Sequence, residues 1–231
     1  MIDNHGGAPL VVKKRAITDQ DKQKRREKIL KAAWQLYERG SVQLPTVSNI
    51  ARKAGLSKGT VYLYFRTKEE IFLNLFVHLL ERWFTSIAPE MERLQPPVAI
   101  EKLAEIITGH VVEHPIILKM GSIVKGVLEE NTDDRVVFET KLKMATIVDS
   151  AGTILAQRLP GISHEDAART IQSVYALISG LWQFTTIQPH ILKMLDNAGA
   201  NLFRMDFQKA VTDAVSRLLK GTVSSFNPEK R

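Results

Sequence analysis

Apolar side chains recur every three or four residues along most of the chain, which is the spacing of one face of an α-helix. No segment has the strict alternation of apolar and polar residues that indicates a half-buried strand, and the sequence contains no internal repeat. We therefore expect an all-α protein. After a first helix that ends near Gly40, the pattern predicts helices at 46–54, 57–63, 67–88, 98–113, 116–128, 134–159, 163–187 and 201–220.

Capping residues mark the starts of several of these helices. A hydroxyl residue followed three positions later by an acidic residue occurs at Thr18 and Asp21, at Thr67 and Glu70, and at Ser163 and Asp166. Pro89 is expected to end the long helix 67–88, because proline lacks the backbone N–H that the helix interior requires. The last residues, after 220, are expected to fray.

Two short helices with almost no linker lie between residues 46 and 63. Thr46 is a good N-cap for the first, and Gly55 can adopt the left-handed conformation that ends a helix. Ser57 caps the second, whose inward anchor is Val61. With the first helix packed over them, they form a three-helix unit of the helix-turn-helix type, in which the second short helix enters the major groove of DNA.

The side chains around this pair fit contact with DNA. Its hydroxyls and lysines suit phosphate oxygens, and its glycine lets a backbone approach closely. We expect Lys58 and Lys68 to meet phosphates, and Thr60 and Leu63 to touch thymine methyl groups. The candidate DNA-binding residues are Thr46, Ser48, Ser57, Lys58, Gly59, Thr60, Tyr62, Leu63, Tyr64 and Lys68.

Positive charge is concentrated at the same end of the chain. Residues 1–70 contain 15 Lys and Arg against 7 Asp and Glu, a balance of +8. The chain totals are 32 and 25, so 17 and 18 remain for residues 71–231, a balance of −1. This asymmetry favours a polyanionic partner. Residues 1–17, which include Lys13, Lys14 and Arg15, are either a basic arm that follows phosphates or a disordered leader.

The same residues carry a family resemblance. The run IARKAGLSKGTVYLYFRTKE at 50–69, preceded by Ala32-Ala33, Leu36-Tyr37 and Arg39-Gly40, closely resembles the DNA-binding signature of the TetR family of transcriptional regulators. The similarity covers residues 23–75, about a quarter of the chain. Pro45, Ser48 and Leu63 depart from the residues frequent in the family, which bears on the DNA sequence preferred.

The resemblance implies a division of the chain into three parts. Residues 1–22 are the flexible basic arm and the start of the first helix, 23–75 are the helix-turn-helix domain, and 76–231 are a larger helical bundle for ligand binding and dimerisation. In such proteins a homodimer binds a double-stranded, palindromic operator, and a small-molecule effector releases it. The helices near 163–187 and 201–220 resemble the pair that forms the dimer interface, and small residues on the first of them permit close helix approach.

Candidates for the effector pocket are large, flexible or aromatic side chains in the bundle. They are Met120, Phe138, Met144, Tyr175 and Trp182. Each of them also suits an ordinary hydrophobic core, so the sequence leaves both roles open.

One motif points instead to an enzyme. His110-Val-Val-Glu113-His114 has the H-x-x-E-H spacing of a family of zinc proteases. That mechanism needs both histidines on one helical face, whereas Pro115 disfavours helical geometry at His114. We expect no metal and no cofactor.

Other features narrow the class. There is no cysteine and no run of 18 apolar residues, and the first residues lack the pattern of a signal peptide, so we expect a cytoplasmic protein that does not enter a membrane. The expected function is that of a ligand-responsive, sequence-specific repressor. The alternatives are an enzyme with its active site in the bundle and a non-specific architectural DNA binder.

Overall fold

A computed structural model of the chain describes residues 19–39, 43–200 and 204–226. The all-α expectation is confirmed, and no strand occurs among these residues. The elements in order are α1 (Asp19–Arg39), α2 (Val47–Ala54), α3 (Lys58–Tyr62), α4 (Lys68–Arg93), α5 (Ile100–Glu113), α6 (Ile116–Gly121), a π-helix (Val124–Glu129), α7 (Asp134–Arg158), α8 (His164–Thr185), α9 (Pro189–Asn197) and α10 (Phe207–Phe226). The proposed basic arm, the cap at Thr18 and the helix end at Gly40 lie outside the described residues.

The three N-terminal helices share a small hydrophobic core, and α4 packs against it. Its members come from α1, α2, α3 and the segment after α3, and each is at most 1% exposed: Ile29, Ala33, Tyr37, Ile50, Val61 and Phe65. The ring of Tyr37 lies 5.4 Å from that of Phe72 on α4, and the guanidinium of Arg26 lies 4.7 Å from the Phe65 ring. This packing fixes α2 and α3 relative to the start of α4.

The long helix α4 links the N-terminal helices to the bundle. Thr67 caps it by accepting a hydrogen bond from the backbone N–H of Glu70 at 3.0 Å. The helix was expected to end before Pro89, and this was wrong, because it continues to Arg93. The missing proline N–H removes one backbone hydrogen bond, but Met91 beyond it is buried in the core, and such packing stabilises the continued helix.

The bundle is built from α4, α5, α7, α8 and α10, which pack side by side. Trp83 of α4 is buried and donates its indole N–H to the carbonyl of Ile107 in α5 at 3.1 Å. Helices α7 and α8 approach closely at Gly152, where a Cβ would lie 3.0 Å from backbone atoms of Ala168. Among the described residues, no helix is long and apolar enough to cross a membrane.

Three further predictions about helices need correction. The segment 116–128 is divided into α6 and the π-helix, where the Leu128 N–H bonds to the Ile123 carbonyl five residues back. Helix α9 was not predicted, because Pro189 was interpreted as a break, whereas it occupies the first turn, where proline needs no hydrogen bond.

The C-terminal helix was also misplaced. It was predicted at 201–220, but α10 is described as Phe207–Phe226. The reason is tertiary packing: Val215 and Leu219 are buried and Val223 packs against the same core, so burial continues into the segment after 220 that was expected to fray.

The close approach at Gly152 predicts opposite effects for two glycine substitutions. Gly152→Ala forces α7 and α8 apart, whereas Gly109→Ala in α5 meets no atom within 4 Å and replaces a poor helix former. We expect Gly152→Ala to unfold with a free energy lower than that of Gly109→Ala by about 1–3 kcal/mol. Urea unfolding at one protein concentration measures this difference, and equal stabilities would contradict the close packing.

Candidate nucleic-acid interface and effector cavity

The turn between α2 and α3 has the geometry that its sequence predicts. Thr46 accepts a hydrogen bond from the N–H of Asn49 at 3.2 Å and so caps α2. Gly55 has φ 62° and ψ 40°, in the left-handed region, and the Leu56 N–H donates to the carbonyl of Ala51 at 2.9 Å. These bonds end α2 within one residue and set the direction of α3.

Helix α3 presents an exposed surface while it is anchored from within. Val61 is fully buried, whereas Tyr62 is 46% exposed and Leu63, just after the helix, is 79% exposed. A single exposed apolar side chain is ordinary, so Leu63 is informative only because the exposed Tyr62 lies next to it. The side chain of Thr60 lies 2.8 Å from the hydroxyl of Ser57, which also caps α3 by accepting from the Thr60 N–H at 3.0 Å.

Gly59 has no neighbour among the described residues that would require a glycine. Of these residues, a Cβ at this position would meet only the Ser57 hydroxyl, at 3.9 Å, which is an ordinary contact. Gly59 lies in a helix, where glycine is unfavourable relative to alanine by about 0.5–1 kcal/mol. Nothing in the described fold therefore requires a glycine at this position. A molecule outside the protein that comes close to the backbone of Gly59 would require one.

The remaining candidates surround this surface. Thr46, Ser48 and Lys58 are exposed, Lys68 is partly exposed at the first position of α4, and the Lys58 ammonium lies 5.8 Å from the ring of Tyr62. Tyr64 is half-buried and packs against the core, so less of its side chain is available than of Tyr62.

The sequence interpretation overlooked other cations on this face. Arg52 and Lys53 occupy the exposed last turn of α2, and Arg66 lies between α3 and α4 with its side chain 78% exposed. The spacing of charges in this stretch was the available signal, since all three lie within twenty residues of Lys58.

Arg66 also contacts the bundle. Its guanidinium lies 3.4 Å from the carboxylate of Asp133, the residue that caps α7, and the Thr67 hydroxyl lies 3.5 Å from the carbonyl of Asn131. Residues about 65 positions apart therefore meet where the helix-turn-helix unit joins the bundle. The ion pair is exposed to solvent, so its contribution to stability is about 0.2–1 kcal/mol.

An apolar cavity of about 210 Å³ lies inside the bundle, between α4, α5, α7 and α8. Of the five predicted pocket residues, Met144 and Tyr175 line it. Helix α4 supplies a large share of its wall, namely Phe76, Leu80, Trp83, Phe84, Ile87 and Met91. The cavity is thus bordered by the same helix that begins with Lys68.

The other three predicted pocket residues lie elsewhere. Met120 is fully buried on α6 and does not line the cavity, and Phe138 is 62% exposed on α7. Trp182 packs edge-on against Phe207, with ring centroids 5.4 Å apart, and lines a separate surface groove with Trp34 and His114.

The H-x-x-E-H segment is helical only as far as Glu113, although the rings of His110 and His114 lie 4.9 Å apart. Helix α5 ends at Glu113, and His114 has φ −126° and ψ 66°, outside the helical region. His110 is hydrogen-bonded to the Ser86 hydroxyl at 3.0 Å, and burial, followed by the nearby His114 and Arg82, lowers the pKa of His110. Within the part of the chain that the structure describes, no three His, Cys, Asp or Glu side chains are grouped so that they could hold a metal ion.

Relatives of known sequence match parts of the chain. The Fatty acid metabolism regulator protein of Bacillus subtilis (strain 168) is 34% identical over 91 residues, which are 38% of this chain and 46% of that protein. The HTH-type transcriptional regulator AcrR of Shigella flexneri is 28% identical over 99 residues, 43% of this chain and 45% of that protein. The chain thus spans less than half the length of these curated relatives.

Solved structures show the same fold over most of the chain. The fatty acid degradation regulator FadR from Bacillus halodurans has a TM-score of 0.54 at 18% identity, covering 84% of this chain and 94% of that one. A TetR-family transcriptional regulator from Mesorhizobium loti MAFF303099 has a TM-score of 0.55 at 16% identity, covering 89% and 96%.

Family models match both parts of the chain. Residues 29–75 match the bacterial regulatory proteins of the tetR family, and residues 77–225 match the tetracyclin repressor-like C-terminal domain. The second match alone covers more than half of the sequence. The chain therefore belongs to the TetR family of bacterial regulatory proteins, which are regulators of transcription and not enzymes.

Proposed function

We propose that this protein is a cytoplasmic, homodimeric repressor that binds a palindromic operator through residues 23–75 and is released by an effector bound within residues 76–231. The observation that carries the proposal is the course of α4. Its first residue, Lys68, is separated from the end of α3 by five residues, and its part from Phe76 to Met91 borders the apolar cavity. One rigid element therefore joins the DNA-facing surface to the ligand cavity.

The exposed surface of α3 supports a sequence-specific role. Leu63 and the Thr60 methyl group can contact thymine methyl groups, while Lys58, Lys68 and the Tyr62 hydroxyl face phosphates on either side. Arg66 adds a further cation, and a DNA phosphate would compete with the Asp133 carboxylate for it. An architectural binder would insert such a leucine between base steps of the minor groove, whereas a helix-turn-helix unit places α3, and Leu63 with it, in the major groove.

Dimerisation places two such surfaces on one DNA face. We assign the interface to α8 and α10, which pack against each other within the subunit. Two of the small residues on α8, Ala167 and Ala168, pack within the subunit, since Ala167 is fully buried and Ala168 meets Gly152. Ser173, Ala176 and Gly180 remain exposed on the outer face of α8 and are available to a partner.

The effector acts through the tilt of α4. A helix of 26 residues is about 39 Å long, so a small rotation at the cavity becomes a displacement of several ångströms at α3. Operator half-sites lie about 34–36 Å apart, and such a displacement prevents both α3 helices from docking together. A relative named as a fatty acid metabolism regulator supports a lipid-like effector.

Selection from random DNA tests this proposal directly. A dimeric repressor should select one two-fold symmetric site, and that site then serves as the operator in the measurements below. If no sequence is preferred over random DNA of the same length, the protein is not a sequence-specific regulator.

We predict that Gly59→Ala weakens operator binding without harming the fold. The added Cβ has room inside the protein but occupies the space of an approaching DNA backbone or base. Operator affinity should fall about tenfold or more, equivalent to about 1.4 kcal/mol, while thermal stability is unchanged or higher. Gly109→Ala, the same change on α5, should leave operator affinity unaltered. Full affinity of Gly59→Ala would remove Gly59 from the interface.

We predict that Asp133→Asn strengthens DNA binding. It removes the carboxylate that pairs with Arg66, and asparagine still caps α7 as well as aspartate does. Since an exposed ion pair is worth about 0.2–1 kcal/mol, affinity should rise by a factor of about 1.5 to 5. Fluorescence anisotropy at low salt measures the change.

Asp134→Asn is the matched control for this measurement. It removes the same charge one residue later in the first turn of α7, at an exposed position. Equal gains in both variants would mean that general charge, and not release of Arg66, sets the effect. The gain of Asp133→Asn should also shrink as salt is added, because exposed pairs are screened.

We predict that Ala176→Glu separates the dimer. The substitution places a charge on the exposed small-residue face of α8, where a partner helix would have to bury it. Sedimentation should show a monomer that retains its helical content and has lost affinity for the symmetric operator. Ala145→Glu, at an exposed position of α7, should remain dimeric. A dimeric Ala176→Glu protein would place the interface elsewhere.

A further inference from the structure

Among the residues that the structure describes, no Asp, Glu, Lys, Arg or His lines the cavity. The described wall residues are aliphatic or aromatic except for the Tyr175 phenol and the Gln172 amide. A carboxylate or ammonium placed inside would lose its hydration and gain no partner, which costs several kcal/mol.

The hydrogen-bonding groups near the cavity are few and mostly committed. The indole N–H of Trp83 already donates to the carbonyl of Ile107, so Trp83 offers the cavity only its ring. The hydroxyl of Tyr175 lies against α6, where a Cβ at Gly121 would be 2.7 Å from it. Burial raises the pKa of Tyr175, so the phenol remains uncharged.

Gln172 is the exception, and it lies at the cavity mouth. Its side chain borders the cavity and is exposed to solvent, so it marks where the cavity opens between α7 and α8. Its amide can both donate and accept a hydrogen bond. A ligand with one uncharged polar end can therefore place its hydrocarbon part inside and pair its polar end with this amide, whereas a carboxylate at the mouth would find no cation among the described wall residues.

The volume limits the size of the ligand. A dry apolar cavity of 150 Å³ is known to hold benzene, so a cavity of about 210 Å³ holds about eight to ten non-hydrogen atoms. A palmitoyl chain exceeds this volume even when its head group stays outside the mouth. The cavity suits a two-ring aromatic molecule or a medium-length alcohol.

We infer that the effector is a small, uncharged, mainly hydrocarbon molecule that fills this cavity and carries at most one polar group, which reaches Gln172. This inference rests on the proposed function, because it identifies the chemical class of the molecule that acts at the same cavity. It differs from what the fatty acid relative alone suggests, since a free fatty acid and its thioesters of coenzyme A are anions.

Calorimetric titration of the full-length protein without DNA tests charge and size separately. Octan-1-ol and octanoate share a chain length and differ in charge, and octan-1-ol should bind at least tenfold more tightly. Hexadecan-1-ol and palmitoyl-coenzyme A test size, and each should bind more weakly than octan-1-ol. Tighter binding of octanoate would overturn the neutral class, and tighter binding of either long-chain probe would overturn the size limit.

Two substitutions locate the binding site. Ala151→Leu projects a larger side chain into the cavity and should weaken octan-1-ol binding at least tenfold, whereas Ala145→Leu, on the exposed side of the same helix, should not. Gln172→Leu should weaken octan-1-ol by roughly two- to tenfold, the range for one hydrogen bond, and leave naphthalene unchanged. Undiminished octan-1-ol binding to Ala151→Leu would place the ligand outside the cavity.

Operator release, measured separately with the selected DNA site, distinguishes a failure of the proposed ligand class from a failure of the proposed release mechanism. If octan-1-ol binds as expected but the operator stays bound, ligand-induced release is wrong and the chemical class of the cavity ligand stands. If palmitoyl-coenzyme A releases the operator and octan-1-ol does not bind, the repressor proposal stands and the neutral, small effector is wrong.

Discussion

The rest of the structure depends on the constraint that one helix serves two cores. The first half of α4 contributes Phe72 to the core beneath α2 and α3, and its second half buries Trp83 in the bundle. A hydrogen-bonded helix cannot change its length at small cost, so movement at one end must appear at the other as a tilt or a shift. The cap at Thr67 and the contact of Tyr37 with Phe72 keep the DNA-facing unit attached to that movement.

The N-terminal helices and the bundle are joined by weak ionic contacts at the surface and by strong hydrophobic packing of α4 inside. The pair of Arg66 with Asp133 is solvent-exposed, so salt and a nearby phosphate can both compete with it. The buried ring of Phe72 and the indole of Trp83 cannot be displaced in this way. Under the proposed function, DNA would therefore rearrange the surface contacts between the N-terminal helices and the bundle while α4 retains its packing.

The sequence alone predicted the helix caps and turns, which depend on residues that are adjacent in the chain. The caps at Thr46 and Ser57 and the left-handed Gly55 are local, and the structure has each of them. The continuation of α4 past Pro89 depends on burial of Met91 against distant helices, which no local pattern contains. The same limit explains the pocket: Met144 and Phe138 are similar candidates in sequence, yet the crossing of α7 with α4 and α8 turns one inward and leaves the other exposed.

The size of the cavity also bears on whether a bound ligand supplies enough free energy to tilt α4. At about 24 cal/mol per Å³, an empty cavity of about 210 Å³ costs about 5 kcal/mol, which measures the lost packing that a well-fitting apolar ligand restores. Reversing a two-state equilibrium from 1:99 to 99:1 needs about 5.5 kcal/mol of differential affinity. Only the part of that energy that differs between the two states shifts the equilibrium. Because six wall residues belong to α4, a tilt of α4 changes the shape of the cavity itself, and this is how a ligand without charged contacts can prefer one state.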